Sequence, residues 1–127
     1  MSKEYLEHYK QGLALFSDGK HKEAIAAYEK ALELNPGWTD AMHALAMAHM
    51  NNGTLDDAIR IGKEIVEIDK NDAFAHTSLS MFWQRKGDME EAEKEAAKAR
   101  MISWKEELKN NPDAPPPGPA GSMDVIQ

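Results

Sequence analysis

The sequence contains no cysteine among its 127 residues, so it has no disulfide framework and offers no thiolate for chemistry. This composition is compatible with a reducing compartment. No apolar run approaches the length needed to cross a membrane, and the first eight residues contain no apolar stretch typical of a signal peptide. We therefore expect a cytoplasmic protein that does not insert into membranes.

Basic residues are scarce relative to acidic ones, with 15 Lys and Arg against 22 Asp and Glu and a net charge of −7. This excess argues against nucleic acid and anionic membrane surfaces as partners. No nucleophile motif, phosphate-binding loop or zinc-ligand spacing is present. The acidic pairs at 56–57 and 90–91 lie in the first turns of predicted helices, where they favour the helix dipole. The sequence thus predicts neither an enzyme nor a cofactor.

A glycine followed five positions later by an alanine recurs at a constant interval. Gly19, Gly53 and Gly87 are 34 residues apart (53 − 19 and 87 − 53). A fixed period of this length is typical of a repeat array, in which small units stack on their neighbours. Such arrays usually present a surface to another molecule.

Apolar residues spaced at i, i+3, i+4 and i+7 predict an amphipathic helix on each side of every one of these glycines. The predicted helices cover 5–17, 24–34, 40–51, 55–68, 73–85 and 89–108. The glycines lie where the chain must turn, a conformation that glycine adopts at little cost. Thr54 and Asp88 are predicted N-caps, each with an acidic residue three positions later.

This pattern resembles the tetratricopeptide repeat family over about Tyr5 to Leu108. The matching residues are Gly12, Ala24, Tyr28, Ala31 and Pro36 in unit one, Leu45, Ala46 and Ala58 in unit two, and Leu79, Ser80, Trp83, Ala92 and Ala99 in unit three. The resemblance implies an all-α, right-handed superhelical array of three helix–turn–helix units. The units would span about 5–38, 39–72 and 73–106, within a domain of residues 1–110.

Two departures from the family pattern have physical consequences. Gly62 stands where the family prefers an aromatic residue; we expect it to allow close packing against a bulky neighbour such as Trp38 or Trp83. Trp104 stands where a proline is usual, so the last helix should continue to about Asn110.

The resemblance also implies a concave groove lined by the first helix of each unit. Its apolar or amphipathic side chains would be Leu6, Tyr9, Leu13, Phe16, His43, Met47, Met50, Phe74 and Met81. A contiguous apolar patch of this kind is typical of an interaction site, and methionines adapt to different partners. We expect the groove to bind an apolar or amphipathic segment of another protein, which is the role of an adaptor or assembly helper.

One use of this fold, gripping the acidic end of a cytosolic chaperone, is not expected here. That clamp needs Lys, Arg or Asn at positions that hold other residues in this chain, namely Tyr9, Leu13, Ala44, Phe74 and Ser78. A metal-carrying alternative would use His43, Met47 and Met50, which share one helical face and suit a soft ion. Because each of these side chains also fits a groove or core position, packing is the favoured reading.

Residues 111–127 form a proline-rich tail, predicted to be an extended spacer that ends in a short apolar motif. That motif contains Met123, Val125 and Ile126, and Met101, Ile102 and Trp104 lie near the end of the last helix. These six side chains could mediate self-association, be covered by the tail, or, for the motif, belong to an inert terminus. The alternative function is therefore a self-assembling structural protein whose groove or C-terminal end engages its own tail or copies.

Overall fold

The computed structural model describes residues 3–118, and this part of the chain is helical apart from its turns and its C-terminal segment. The six helices pair into three units: α1 (Glu4–Ser17) with α2 (His21–Leu34), α3 (Thr39–Asn52) with α4 (Leu55–Ile68), and α5 (Ala73–Lys86) with α6 (Met89–Asn110). The last helix has 22 residues where the others have 14, as predicted from the missing proline at Trp104.

The turn inside each unit is built in the same way. Gly19, Gly53 and Gly87 adopt positive φ angles of 79°, 84° and 91°. The residue after each glycine donates its backbone N–H to a carbonyl five residues earlier, for example from Thr54 to His49. This is the glycine-dependent way of ending a helix while satisfying its last carbonyls. The predicted role of the three glycines is confirmed.

The two predicted N-caps have different outcomes. The carboxylate of Asp88 accepts a hydrogen bond from the backbone N–H of Glu91, so that cap is confirmed. Thr54 also occupies the predicted N-cap position, before α4, but its side chain makes no capping bond. Its hydroxyl donates to the carbonyl of His49 and lies 2.7 Å from Nδ1 of that residue. Burial lowers the pKa of His49, despite the opposing influence of the Asp57 carboxylate.

Each helix packs on its neighbours in sequence, and α1 also reaches α3 directly. The first helices of units one and two therefore lie close together. The core runs through all three units, and its largest fully buried side chains are Tyr28, Ile61, Ile65, Leu79 and Phe82. Each unit cannot bury this surface alone, which explains why the units must stack.

Two glycines within helices allow close contacts between helices. A Cβ at Gly12 would overlap the ring of Tyr28, and a Cβ at Gly62 would lie 2.7 Å from Cδ2 of Leu79. Close packing at Gly62 is thus confirmed. The predicted partners were wrong, because Leu79 occupies the space and neither Trp38 nor Trp83 does.

A buried polar contact joins the two helices of unit three. Nδ1 of His76 on α5 donates to the carboxylate of Glu95 on α6 at 2.7 Å, and Lys98 lies 3.5 Å from the other oxygen of that carboxylate. Both residues are buried, and a buried polar group is stabilised only when it is hydrogen-bonded. The hydrogen bond between His76 and Glu95 gives each of these buried side chains a partner.

The chain after α6 turns back onto unit three. The indole N–H of Trp104 donates to the carbonyl of Ala114 at 3.0 Å, and Ala114 is only 5% exposed. The predicted proline-rich tail is therefore held against α6 at Ala114. Within residues 3–118, no helix is long and apolar enough to cross a membrane.

Candidate groove on the inner helices

The predicted groove residues lie on α1, α3 and α5, the first helices of the three units. Leu13 and Phe74 are the most exposed of them, at 45% and 59%. Six others are half-buried: Leu6, Tyr9, Phe16, His43, Met47 and Met81. Met50 is only 6% exposed and belongs to the core, so it offers little surface to a ligand.

Leu13, Met47 and Met81 occupy the same position in the three units, because each follows the previous one by 34 residues (47 − 13 and 81 − 47). Repetition of one position along a stacked array places the three side chains in a row across the inner helices. All three keep part of their surface accessible. The row is apolar throughout and runs from unit one to unit three.

The groove carries few charges although the chain as a whole is acidic. The family pattern implies five groove positions in the first helix of each unit, the second, fifth, ninth, twelfth and thirteenth residues of the unit. Among these fifteen positions, only Asp40 and Arg85 are charged at neutral pH if histidine is neutral. Both side chains are exposed. Recognition on this surface would therefore depend on apolar contact and shape, with one charge of each sign at its edges.

His43 is held in place by the next unit. Its Nε2 donates to Oδ2 of Asp72 at 2.9 Å, and its ring lies 4.8 Å from that of Phe74, measured between centroids. Asp72 also accepts the backbone N–H of Ala75, which caps α5. Burial alone would raise the pKa of Asp72, but the hydrogen bonds from His43 and from Ala75 outweigh it and hold this pKa below its ordinary value.

No sequence pattern indicates that Asp72 is a partner of His43. An aspartate directly before an apolar-periodic stretch is a recognisable N-cap signal, and this could have identified the cap. The contact with His43 depends on how two units stack, which no local pattern reports. The engaged nitrogen of His43 and the burial of Met50 also mean that the metal-carrying trio does not present three free donor atoms.

At the other end of the groove, Tyr9 lies among aromatic rings. Its centroid is 4.8 Å from that of Trp38 and 5.9 Å from that of Tyr28, and Tyr5 contacts Trp38 edge-on. Burial, with a smaller contribution from Tyr9, raises the pKa of Tyr28 to about 12. The Tyr9 side chain therefore forms part of the wall of the groove and also part of the contact between units one and two.

The residues predicted to mediate self-association are in different environments. Met101 is 40% exposed, Ile102 is half-buried, and the half-buried Trp104 donates its indole N–H to Ala114. The sequence left open whether these side chains mediate self-association or are covered by the tail. For Trp104, the tail covers part of the side chain. Met123, Val125 and Ile126 lie outside the described residues.

Comparison with known proteins places this geometry in a family. A profile of the tetratricopeptide repeat matches residues 15–82. The photosystem I assembly protein Ycf3 of Synechococcus sp. (strain CC9605) is 30% identical over 93 residues, which are 71% of this chain and 54% of that protein. The chain thus spans about half the length of this curated relative.

Solved structures agree with the family assignment. A crystal structure of MamA is 27% identical, superposes with a TM-score of 0.76, and covers 81% of this chain and 60% of its own. The Yersinia enterocolitica type III secretion translocator chaperone SycD shares the fold at 20% identity, with a TM-score of 0.76 over 87% of this chain and 84% of its own. The predicted all-α, right-handed superhelical array of three helix–turn–helix units is confirmed. The chain belongs to the tetratricopeptide repeat family.

Proposed function

We propose that the groove on α1, α3 and α5 binds an apolar or amphipathic segment of another protein. The observation that carries this proposal is the row formed by Leu13, Met47 and Met81, which is repeated in all three units and partly exposed in each. Exposed apolar side chains cost free energy in water unless a partner covers them. A segment with apolar residues at helical spacing would cover such a row.

The role that fits this binding is that of an adaptor or assembly helper without catalytic activity. The name of the relative from Synechococcus, an assembly protein, supports this class of role and does not identify the client. A cytoplasmic location belongs to the same proposal, since a chain without cysteine is suited to a reducing compartment.

A second candidate is self-assembly through the C-terminal end. The exposed side chain of Met101 on α6 favours it. In that case the partner would be another copy of the chain, or its own tail, and the groove would serve assembly of the protein itself.

Affinity capture with a groove variant tests the proposal. In the variant Leu13→Glu/Phe74→Glu, two exposed apolar residues of the groove become charged, at sites where the fold loses little packing. The matched control is Leu34→Glu/Ile68→Glu, which makes the same change at two exposed residues at the ends of α2 and α4. Circular dichroism checks that both variants keep their helices.

We expect a client that the intact protein and the control retain and that the groove variant loses. Identical capture by all three proteins would contradict groove binding. Recovery of the protein's own copies alone, with loss of the oligomer in a Met101→Glu variant, would favour the self-assembly candidate.

A further inference from the structure

The outer surface of α6 is the place where a fourth unit would stack. In the array, α2 packs between α1 and α3, and α4 packs between α3 and α5. Among the described residues, α6 has no helix after it. Residues 111–118, here called the strap, turn back along α6 after its end at Asn110, with Ala114 buried and bonded to Trp104.

The strap lies on α6 in the register of a missing helix. The cleft between α4 and the next unit is lined by Asp56, Ile59, Arg60, Lys63, Glu64, Glu67 and Trp83. Six of the eight residues that line the cleft between α6 and the strap lie 34 positions after members of that set, namely Glu90, Glu93, Lys94, Ala97, Met101 and Pro117. The other two, Arg100 and Gly118, have no counterpart there. Pro117 therefore stands against α6 where Trp83 stands against α4.

The inner side of the strap has a similar correspondence. Thr77 is the counterpart of His43, 34 residues later. His43 contacts the unit that follows it, and Thr77 shares a cleft with Pro115 and Pro117. The strap thus lines one cleft with α6 and another with Thr77 of α5. These two clefts flank the site that the first helix of a fourth unit would fill.

We infer that residues 111–118 take the place of the first helix of a fourth unit and close the C-terminal end of the array. Four prolines, at 112 and 115–117, prevent this segment from forming a helix. They also restrict its conformations before it docks, so ordering it costs less entropy than ordering a flexible chain. Of the eight residues of the strap, Ala114 is buried and Pro117 is half-buried.

The surface of α6 matches this kind of cover. Where α4 carries Ile59 and Val66, α6 carries Glu93 and Arg100 at the equivalent positions. Arg100 donates to the Glu93 carboxylate at 2.7 Å. A narrow strap leaves more of the α6 surface exposed to water than a helix would. The ion pair of Arg100 and Glu93 can remain exposed at little cost in free energy.

Two truncations test the inference. One ends after Asn110 and removes the strap, and the other ends after Gly118 and keeps it. The indole N–H of Trp104 reports the contact, because NMR follows its hydrogen exchange separately from the signals of Trp38 and Trp83. We expect the Gly118 truncation to exchange as slowly as the full chain and the Asn110 truncation roughly tenfold faster, as for the loss of one hydrogen bond.

Equal exchange of the Trp104 indole in all three proteins would overturn the inference.

Should the shorter chain fail to fold, an engineered cysteine pair tests the inference in the full-length chain, which contains no other cysteine. Ala97→Cys/Pro117→Cys joins two residues of the strap cleft. In the control, Lys63→Cys/Pro117→Cys, Lys63 is the counterpart of Ala97 in unit two. We expect air oxidation to bridge the first pair within one chain at several times the yield of the control, and equal yields would contradict docking of the strap on α6.

Discussion

The first two units fill the space beside their second helices with different side chains. Tyr28 on α2 and Gly62 on α4 occupy equivalent positions, 34 residues apart. In unit one the ring of Tyr28 is buried against Tyr9 and Gly12 of α1. In unit two Gly62 has no side chain, and Leu79 of the following unit enters the space beside it. The array therefore needs volume at this position, and either helix can supply it.

The two junctions between consecutive units also differ where the loop of the next unit begins its first helix. Trp38 and Asp72 are the equivalent residues before α3 and α5. Trp38 meets the ring of Tyr9, whereas Asp72 accepts a hydrogen bond from His43, the counterpart of Tyr9. One contact is aromatic and the other is polar, so only the second responds directly to the protonation of a carboxylate.

The largest effect is expected from removing the side chain that enters the second junction. Leu79→Ala should lower the free energy of unfolding by about 3–4 kcal/mol, in the upper part of the range for a buried leucine. Leu79 is 2% exposed, and Gly62 has no side chain that could move into the space. Urea denaturation measures the loss.

Leu45→Ala is the matched control, because Leu45 is the counterpart of Leu79 and is also buried. The counterpart of Gly62 in unit one is Tyr28, whose ring belongs to the same core cluster as Leu45, so the loss should be about 1 kcal/mol smaller. Equal losses of unfolding free energy at the two positions would show that the missing side chain at Gly62 does not make Leu79 more important than Leu45.

The sequence predicts the elements of this fold better than their contacts. A period of 34 and three turn glycines suffice to place six helices, since both signals are local. The partner of Gly62, the bond from His43 to Asp72 and the docking of Ala114 all join residues of different units or segments. Hydrophobic periodicity indicates which face of a helix is buried but not which residue covers that face. These contacts are therefore seen only in the folded structure.

The groove shows the same limit. The family resemblance predicts the row of Leu13, Met47 and Met81, because one position repeats in each unit. It could not separate Met50 from that row, since a methionine on the flank of the same helix face can turn toward the core or toward the groove. Met50 is buried because the stacked units form one core around it.

A smaller effect should distinguish the two close-packing glycines. Replacing either by alanine gains about 1 kcal/mol of helix propensity, but the new Cβ must find room. At Gly12 it meets the buried ring of Tyr28, which has few ways to move, so Gly12→Ala should be destabilising by about 1–2 kcal/mol net. At Gly62 it meets Cδ2 and Cγ of the buried Leu79, at 2.7 and 2.9 Å. A leucine side chain changes rotamer more easily than a buried ring, so Gly62→Ala should be less destabilising, within about 1 kcal/mol of the parent.

Thermal and urea unfolding of the two alanine variants measure this difference side by side. The double variant Gly62→Ala/Leu79→Ala sharpens it, because the added methyl group fills part of the space that Leu79 leaves. The double variant should therefore be more stable than the sum of the single changes implies. A Gly62→Ala variant as unstable as Gly12→Ala would mean that Leu79 is as rigidly held as Tyr28.

An effect of similar size should come from the polar contact between His43 and Asp72, and it should depend on pH. Asp72→Ala removes the cap of α5 and the bond from His43, for a loss of about 1–2 kcal/mol at pH 7. The pKa of Asp72 is lower in the folded protein than its ordinary value. Its contribution to stability is therefore complete above the ordinary pKa of an aspartate and is lost as the pH falls through the lower, folded-state pKa.

The difference in unfolding free energy between the parent and Asp72→Ala should consequently shrink in acid. Trp38→Ala provides the control at the first junction, because an indole does not titrate and its effect should stay constant over the same pH range. A difference for Asp72→Ala that also stays constant would show that the carboxylate acts only as a neutral cap. The two junctions would then be alike in their response to acid, whatever side chains they use.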